Sequence, residues 1–231
     1  MYHRTSSDGF REIDRWDDGV GWIAHQEETG ARASHAVRGE DGGVWLLDPL
    51  DAPDVDALID RLGSVTGVVV LSNYHARDAD VFANRYDVPV WVPAWMNRVV
   101  PRLDAPIERF DDTFGDAGFV VTACSGLPGA QEGIAYRSSD RTLYVPDLLS
   151  TMEMVTVDNE RVGFFLPARL RPPSVLSDVS PEQIILGHGT GVFDDANEAL
   201  THALATDWRR FFQAFRKSWR DQLRAGLDAM R

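Results

Sequence analysis

Cysteine and long apolar runs are the features that this sequence has least of. Cys124 is the single cysteine among 231 residues, so disulfides and cysteine-based zinc sites within the chain are excluded. No apolar run approaches the roughly 20 residues that span a bilayer. The opening stretch MYHRTSSDGF lacks the apolar segment of a secretory signal. We therefore expect a cytoplasmic protein.

Lysine is also nearly absent. The 23 basic residues are 22 arginines and Lys217, against 26 aspartates and 10 glutamates, and the net charge is −13. A strongly acidic surface keeps a protein dispersed, and salt screens its self-repulsion. A GC-rich genome would favour Arg over Lys, but it would not favour Asp over Glu. The composition is therefore typical of an acidic, halophilic protein.

The charge is distributed unevenly along the chain. Residues 207–231 carry seven basic and three acidic side chains, which leaves −17 for residues 1–206. Apolar residues recur there at steps of three and four, which predicts an amphipathic helix with an aromatic stripe. We expect residues 1–206 to form one domain and residues 207–231 a helix packed on that domain or on the mate in a homodimer. The apolar positions of this pattern begin shortly before residue 207 and are Leu200, Leu204, Trp208, Phe211, Phe212, Phe215, Trp219, Leu223 and Leu227.

The Arg-rich face of this helix has other candidate partners, namely the acidic body, a membrane surface or nucleic acid. Electrostatic binding to nucleic acid is weak for an acidic protein at high salt. We expect neither a nucleic acid nor a membrane partner.

The rest of the chain alternates between β-type runs and helical segments. Strands are predicted at "VWLLDP", "VTGVVVL", "VPVWVP", "GFVVTACS", "GIAYRSS", "TLYVPDLL" and "IILGHG". Helices are predicted at "DAPDVDALIDRLG", near "DADVFANRYD" and from about Asp194 onward. Residues 150–180 are proline-rich and irregular. This order predicts an α/β sandwich with helices covering the faces of the sheets.

Three of these strands lead directly into metal-binding residue types. The first exit is "SNYHARDAD" with His75 and Asp78, the second is "VPD" with Asp147, and the third is "LGHG" with His188. Imidazole and carboxylate are preferred ligands of zinc, iron and manganese. Each exit also has a simpler explanation, such as a loop histidine, a helix cap or a tight turn. Together, the three exits indicate a metal site.

The order of these motifs resembles the metallo-β-lactamase fold superfamily over roughly residues 20–205. Its members have a strand ending in Asp, an H-x-H-x-D-H loop, a "GHTPG"-like turn, a strand ending in Gly-Asp and a late "GHG" turn. The resemblance implies an αββα four-layer sandwich of two mixed β-sheets flanked by helices, here with an extra C-terminal amphipathic helix. It also implies hydrolysis by a metal-bound hydroxide.

The motif is only partly retained. Without a gap, Asn73 and His75 occupy the two histidine positions, and Arg77 and Asp78 occupy the Asp-His positions. With a one-residue gap, Asp78 keeps the aspartate position instead. Gly126 stands where the histidine of the "GHTPG" turn belongs. By resemblance, one ion would lose two of its three histidines, and the other would keep Asp78, Asp147 and His188.

Two functions follow from this reduced site. In one, the protein is weakly active or non-catalytic, with a structural or small-molecule-binding pocket in which Arg77, beside Asn73 and Gly126, replaces a metal. In the other, His75, Asp78, Asp147 and His188 hold one divalent ion, Zn, Mn or Fe, in a mononuclear hydrolase. The cofactor is therefore either none or one divalent metal. An Arg77 guanidinium lying against Asp147 would favour the first function.

Overall fold

Seven strands form the first sheet of the computed structural model, which describes residues 6–127, 130–205 and 208–229. They follow one another in chain order across the sheet. The first four pair antiparallel, and each later strand pairs parallel with the one before it. They are β1 (Arg11–Trp16), β2 (Gly19–Ile23), β3 (Ala33–Arg38), β4 (Val44–Leu47), β5 (Val65–Val69), β6 (Val90–Pro93) and β7 (Ile107–Phe110).

A second sheet has four strands in the order β13-β10-β9-β8. The edge strand β13 pairs parallel with β10, while β8, β9 and β10 form an antiparallel meander. Two short strands make a separate ribbon. These strands are β8 (Phe119–Leu127), β9 (Ala130–Arg137), β10 (Thr142–Val145), β11 (Leu149–Ser150), β12 (Gly163–Phe164) and β13 (Gln183–Leu186).

The helices are short except for the last. They are α1 (Val55–Ile59), α2 (Ala79–Tyr86), α3 (Leu166–Arg169), α4 (Ala196–Leu204) and α5 (Trp208–Ala229), with 3-10 turns at Val100–Arg102 and Ser174–Ser177. The region predicted to be helical from about Asp194 onward forms two helices, and α4 ends at Leu204, after which Ala205 has an extended backbone.

Side-chain alternation along the buried strands produces three apolar layers. On β10, Leu143 and Val145 face the layer beneath α4, whereas Tyr144 faces the layer between the sheets. On β4, Leu46 faces the layer beneath α1 and α2, whereas Leu47 faces the inner layer. Successive residues of a strand point to opposite faces, so a strand buried on both sides supplies two cores. The predicted sandwich of two mixed sheets flanked by helices is confirmed.

The described part of the chain contains no helix that is both long and apolar enough to cross a bilayer. The long helix α5 is amphipathic, with charged residues along its length.

Candidate metal centre

Three strand ends bring His75, Asp147 and His188 together. Strands β10 and β13 are parallel and in register, with Val145 opposite Leu186, so Asp147 and His188 each lie two residues beyond that pair. The loop after β5 carries His75 in from the other sheet. Because the carboxyl ends of parallel strands lie at one edge of a sheet, this edge collects the three side chains.

The ligand atoms of these residues form a compact triangle. Asp147 Oδ1 lies 3.0 Å from His75 Nε2 and 3.2 Å from His188 Nε2, and the two nitrogens are 3.3 Å apart. An ion with tetrahedral bonds of about 2.05 Å would separate its ligand atoms by about 3.3 Å. Two imidazoles and one carboxylate are also a common ligand set for iron and zinc. The residues therefore fit a divalent ion, and they could hold one.

Both histidine rings are held in place by an acceptor that contacts Nδ1, the ring nitrogen that faces away from the other two ligand residues. His75 Nδ1 lies 3.1 Å from Asp48 Oδ2, and His188 Nδ1 lies 2.6 Å from the Gly30 carbonyl oxygen. A proton on Nδ1 satisfies each of these acceptors and leaves a lone pair on Nε2. Metal-binding histidines usually have such a partner, which sets the tautomer and the ring orientation.

Asp48 connects both sheets to the site. It is completely buried, with a left-handed backbone at φ 45°, directly after β4. Its Oδ1 accepts the Leu71 N–H at 2.9 Å, and its Oδ2 accepts the Tyr144 hydroxyl at 2.6 Å in addition to facing His75. A buried carboxylate is costly unless it is fully hydrogen-bonded, and these three contacts supply the bonds.

Asp147 is held by side chains of the second sheet and of the β5 loop. The Ser72 hydroxyl donates to its Oδ2 at 2.5 Å, and its own N–H donates to Glu132 Oε2 at 2.8 Å. Its side chain keeps 34% of its surface exposed, whereas His75 and His188 are buried. The site therefore opens to solvent beside Asp147.

The pKa values of the ionisable groups in and around the site are shifted in different directions. Burial disfavours the charge of Asp147, but His75 and His188 outweigh it, and the pKa of this carboxyl lies well below its usual range. Burial and the charge of Asp147 raise the pKa of Glu132 to about 8. Burial lowers the pKa of His188 below its ordinary value despite its bond to Asp147. A neutral His188 beside an ionised Asp147 suits cation binding, since a ligand must be deprotonated.

His75 has the opposite shift. Burial and the guanidinium of Arg77 lower the pKa of His75, but the carboxylates of Asp147 and Asp48 outweigh both, and its pKa is raised. Protons therefore compete with a cation for His75 more strongly than for His188.

Arg77 lies inside the site, but it does not lie against Asp147. Its backbone is left-handed, at φ 43°. Its Nη1 donates to the carbonyls of Ala33 and Asp48 at 2.5 and 2.7 Å, and its Nη2 donates to the Gly187 carbonyl at 3.0 Å. The same Nη2 lies 3.2 Å from His75 Nε2. Within the described ranges, no ion pair joins Arg77 to Asp147. Arg77 therefore ties three strand ends together and adds a fixed positive charge beside His75.

The other residues proposed from the sequence lie outside the triangle. Asp78 precedes α2, and its Oδ2 accepts the Asp51 N–H at 2.7 Å, which turns its carboxylate away from the His75, Asp147 and His188 group. Asn73 is buried, its side-chain amide donates to Gln131 at 3.1 Å, and its Oδ1 has no partner among the described residues.

The histidine-free turn "SGLPG" is the junction between β8 and β9. Gly126 belongs to β8, while Pro128 and Gly129 lie outside the described residues. The structure therefore supplies no contact by which to test Gly126 as a pocket residue.

Sequence reasoning missed Tyr144, Glu132 and the role of Asp48. Asp48 was noticeable as the polar end of "VWLLDP", and Tyr144 as the single polar aromatic side chain of a buried strand. The side-chain partners of Asp48 and Tyr144 come from other elements and loops, 27 residues or more away along the chain. Only the tertiary structure reveals such pairs.

Neither a protein family nor any curated protein was matched by the sequence itself. Solved structures were matched with high confidence. The DIM-1 metallo-β-lactamase superimposes with a TM-score of 0.60 at 13% identity, covering 87% of this chain and 98% of that chain. The chain has the metallo-β-lactamase fold.

Two further structures with this fold support the same match. A metallo-β-lactamase from Pontibacter korlensis gives a TM-score of 0.61 at 14% identity, covering 85% of this chain and 98% of that chain. The FIM-1 metallo-β-lactamase from Pseudomonas aeruginosa, in its mono-zinc form, gives 0.53 at 13% identity, covering 88% of this chain and 100% of that chain. Structural matches at identities this low establish the metallo-β-lactamase fold alone, so the activity has to be argued from the site.

Proposed function

We propose that this protein binds one divalent metal ion through His75, Asp147 and His188 and acts as a mononuclear hydrolase of carbonyl or phosphoryl compounds. The observation that carries the proposal is the convergence of three ligand atoms within 3.3 Å of one another, with both histidines anchored from behind. The mono-zinc form of the P. aeruginosa enzyme supports a single ion in this fold.

A divalent ion at this position would polarise a substrate oxygen and lower the pKa of water. The residues of the chain orient the metal ligands and determine the side on which the site is open. Asp48 and the Gly30 carbonyl hold the imidazoles, and Ser72 and Glu132 hold the Asp147 turn. The exposed edge of Asp147 is the side from which a substrate would enter.

Arg77 has two opposing effects in this proposal. Its guanidinium would stabilise negative charge that develops on a substrate oxygen. The same charge, 3.2 Å from His75 Nε2, repels a cation, so metal binding should be weaker than in a site built from neutral ligands.

A second candidate function rests on that same contact. Arg77 Nη2 is close enough to donate a hydrogen bond to His75 Nε2, and this bond would satisfy that nitrogen without a metal. The contact supports a non-catalytic pocket that binds a small anionic molecule. The two candidates differ in whether the purified protein contains a stoichiometric metal.

Elemental analysis of protein purified in high salt without chelator tests the proposal. We expect close to one Zn, Mn or Fe per chain, and a melting temperature that falls with EDTA and recovers with the metal. Asp147→Asn and His188→Ala should each abolish both effects. Asp78→Asn is the matched control and should leave them intact. Sub-stoichiometric metal together with no metal-dependent thermal shift would refute the metal site.

Activity is a separate measurement. The loaded protein should hydrolyse p-nitrophenyl acetate, bis-p-nitrophenyl phosphate or nitrocefin faster than Asp147→Asn that has been incubated with the same metal concentration. A protein that binds one metal yet cleaves none of these or related esters, phosphodiesters and lactams would support a binding role for the site.

A further inference from the structure

Helix α5 exposes an aromatic stripe to solvent. Four aromatic residues and one leucine at steps of three and four are 39–65% exposed. In the described region, the other large apolar residues with comparable exposure are single ones on separate elements, namely Val81, Val120 and Leu170. The aromatic stripe, as we call it below, consists of Trp208, Phe212, Phe215, Trp219 and Leu223.

A different side of the helix already packs on the body. Ala214, Ser218 and Gln222 are buried, Gln222 donates to the Met154 carbonyl at 2.9 Å, and its Oε1 accepts the Leu166 N–H at 2.8 Å. At 3.6 residues per turn, this buried side is centred about 100° around the helix axis from the aromatic stripe. The helix cannot turn its stripe inward without breaking these bonds, and no described part of the chain covers the stripe.

The stripe is preformed. Phe215 and Trp219 stack with ring planes 10° apart, and Phe211 stacks on Phe215 at 26°. Rings that hold one another in place lose little conformational entropy on docking. Aromatic residues are also enriched in the centres of protein interfaces.

The charges favour a second copy of this chain over a membrane. Residues 1–206 carry −17, whereas the stripe is flanked by Arg216 and Arg220. An anionic lipid surface would attract the helix but repel the body that is attached to it. A second copy supplies an acidic body for these arginines and, in its own stripe, an extended apolar surface of matching kind.

The exposed area is sufficient for such a pairing. At about 200 Å² per aromatic side chain, the four rings leave about 400 Å² exposed on each copy. Two facing stripes with Leu223 and the arginine stems at their rims would bury about 1,000 Å², which is the lower range for a specific interface. A symmetric interface requires one patch that complements itself, and the stripe is such a patch.

We propose that this protein forms a homodimer in which the aromatic stripes of two α5 helices pack against each other. The proposal uses none of the metal ligands. Because the contact is apolar, the dimer should persist in molar KCl, where exposed ion pairs are screened.

The test is the mass of the full chain by light scattering and sedimentation between 5 and 200 µM, in 0.2 M and 3 M KCl. We expect twice the 25.7 kDa of one chain in both salts. Phe212→Glu with Trp219→Glu should weaken the dimer by at least 100-fold with an unchanged circular dichroism spectrum. Val81→Glu with Val120→Glu is the control, since it adds the same two charges at exposed apolar residues away from α5. If the charged pair fails to fold, Phe212→Ser with Trp219→Ser should produce monomers in the same way.

Three outcomes would overturn the proposal. The wild-type chain could be monomeric at 200 µM in both salts, or the folded stripe variants could remain dimeric. A monomeric wild-type chain that floats with phosphatidylcholine–phosphatidylglycerol vesicles, while the stripe variants do not, would assign the stripe to a membrane surface instead.

Discussion

Asp48 is expected to control metal affinity without touching the metal. In Asp48→Asn the introduced amide oxygen can still accept the Leu71 N–H, and the Tyr144 hydroxyl can accept from the amide NH₂. The same NH₂ would face His75 Nδ1, which in the wild type donates to a carboxylate oxygen 3.1 Å away. Two donors cannot share that contact. The imidazole must therefore move its proton to Nε2, which removes the lone pair that a metal needs.

The size of the effect follows from measured losses at comparable positions. Removing the hydrogen-bond partner of a metal-binding histidine typically costs 10–100-fold in metal affinity. At a free metal concentration of 100 Kd for the wild type, binding stabilises the fold by about 2.7 kcal/mol. For Asp48→Asn at that concentration the gain falls to about 0.4–1.4 kcal/mol. In a domain of this size 1 kcal/mol shifts the melting temperature by about 2–4 °C.

Paired thermal melts with and without metal measure this change. The metal-induced rise should be about 5–11 °C for the wild type and about 1–6 °C for Asp48→Asn at the same free metal concentration. Tyr144→Phe is the matched control, since it removes one bond to Asp48 and leaves the His75 contact in place. A full metal-induced shift in a folded Asp48→Asn protein would refute the orientation argument.

Three further predictions concern pH, reactivity and salt. Burial disfavours the charge of Asp140, but hydrogen bonds from Arg137 and Thr142 outweigh it and lower its pKa, so this stabilisation is present above the ordinary Asp pKa and is lost as pH falls through the lowered value. Urea denaturation should show that Asp140→Asn lowers the free energy of unfolding at pH 7 but changes it little at pH 2. An equal loss at both pH values would contradict this prediction. Burial and Glu132 raise the pKa of Cys124 to about 11, so iodoacetamide should react with the folded protein slowly at pH 8. A rate equal to that of the urea-unfolded chain would contradict this assignment. The acidic surface predicts a melting temperature that rises between 0.2 M and 3 M KCl, and a flat or falling curve would count against halophilic adaptation.

The strand ends explain why the sequence was informative about the site. His75, Asp147 and His188 each follow a buried apolar run, and the side chains at the ends of such strands gather at one edge in an α/β protein. Asp78 follows the same run as His75, but it lies one residue past Arg77, whose left-handed backbone redirects the chain. Its carboxylate then meets the Asp51 N–H. One residue of difference in a turn changes which side chain faces the site, and no pattern in the sequence specifies that turn.

The same limit applies to Arg77. Its presence in the loop is evident from the sequence, and so is the capacity of a guanidinium to pair with a carboxylate. The carbonyls of Ala33, Asp48 and Gly187 accept hydrogen bonds from it instead, and they lie at the start of β3 and directly after β4 and β13. A backbone acceptor has no signature in the sequence, so a partner of this kind is visible only after folding.

The sequence pattern alone determined the α/β sandwich with helices on the faces of its sheets, the three exits and the amphipathic character of the last helix, while the αββα order of layers was implied by the family resemblance. Each of these depends on local periodicity and on the length of apolar runs, which neighbouring residues specify. Only the tertiary structure decided that Asp48 orients His75, that Asp78 turns away, and that α5 packs through Ala214, Ser218 and Gln222 while its rings face solvent. These outcomes depend on contacts between residues far apart in the chain. Their energies arise from burial and hydrogen bonding across elements, and local pattern does not encode them.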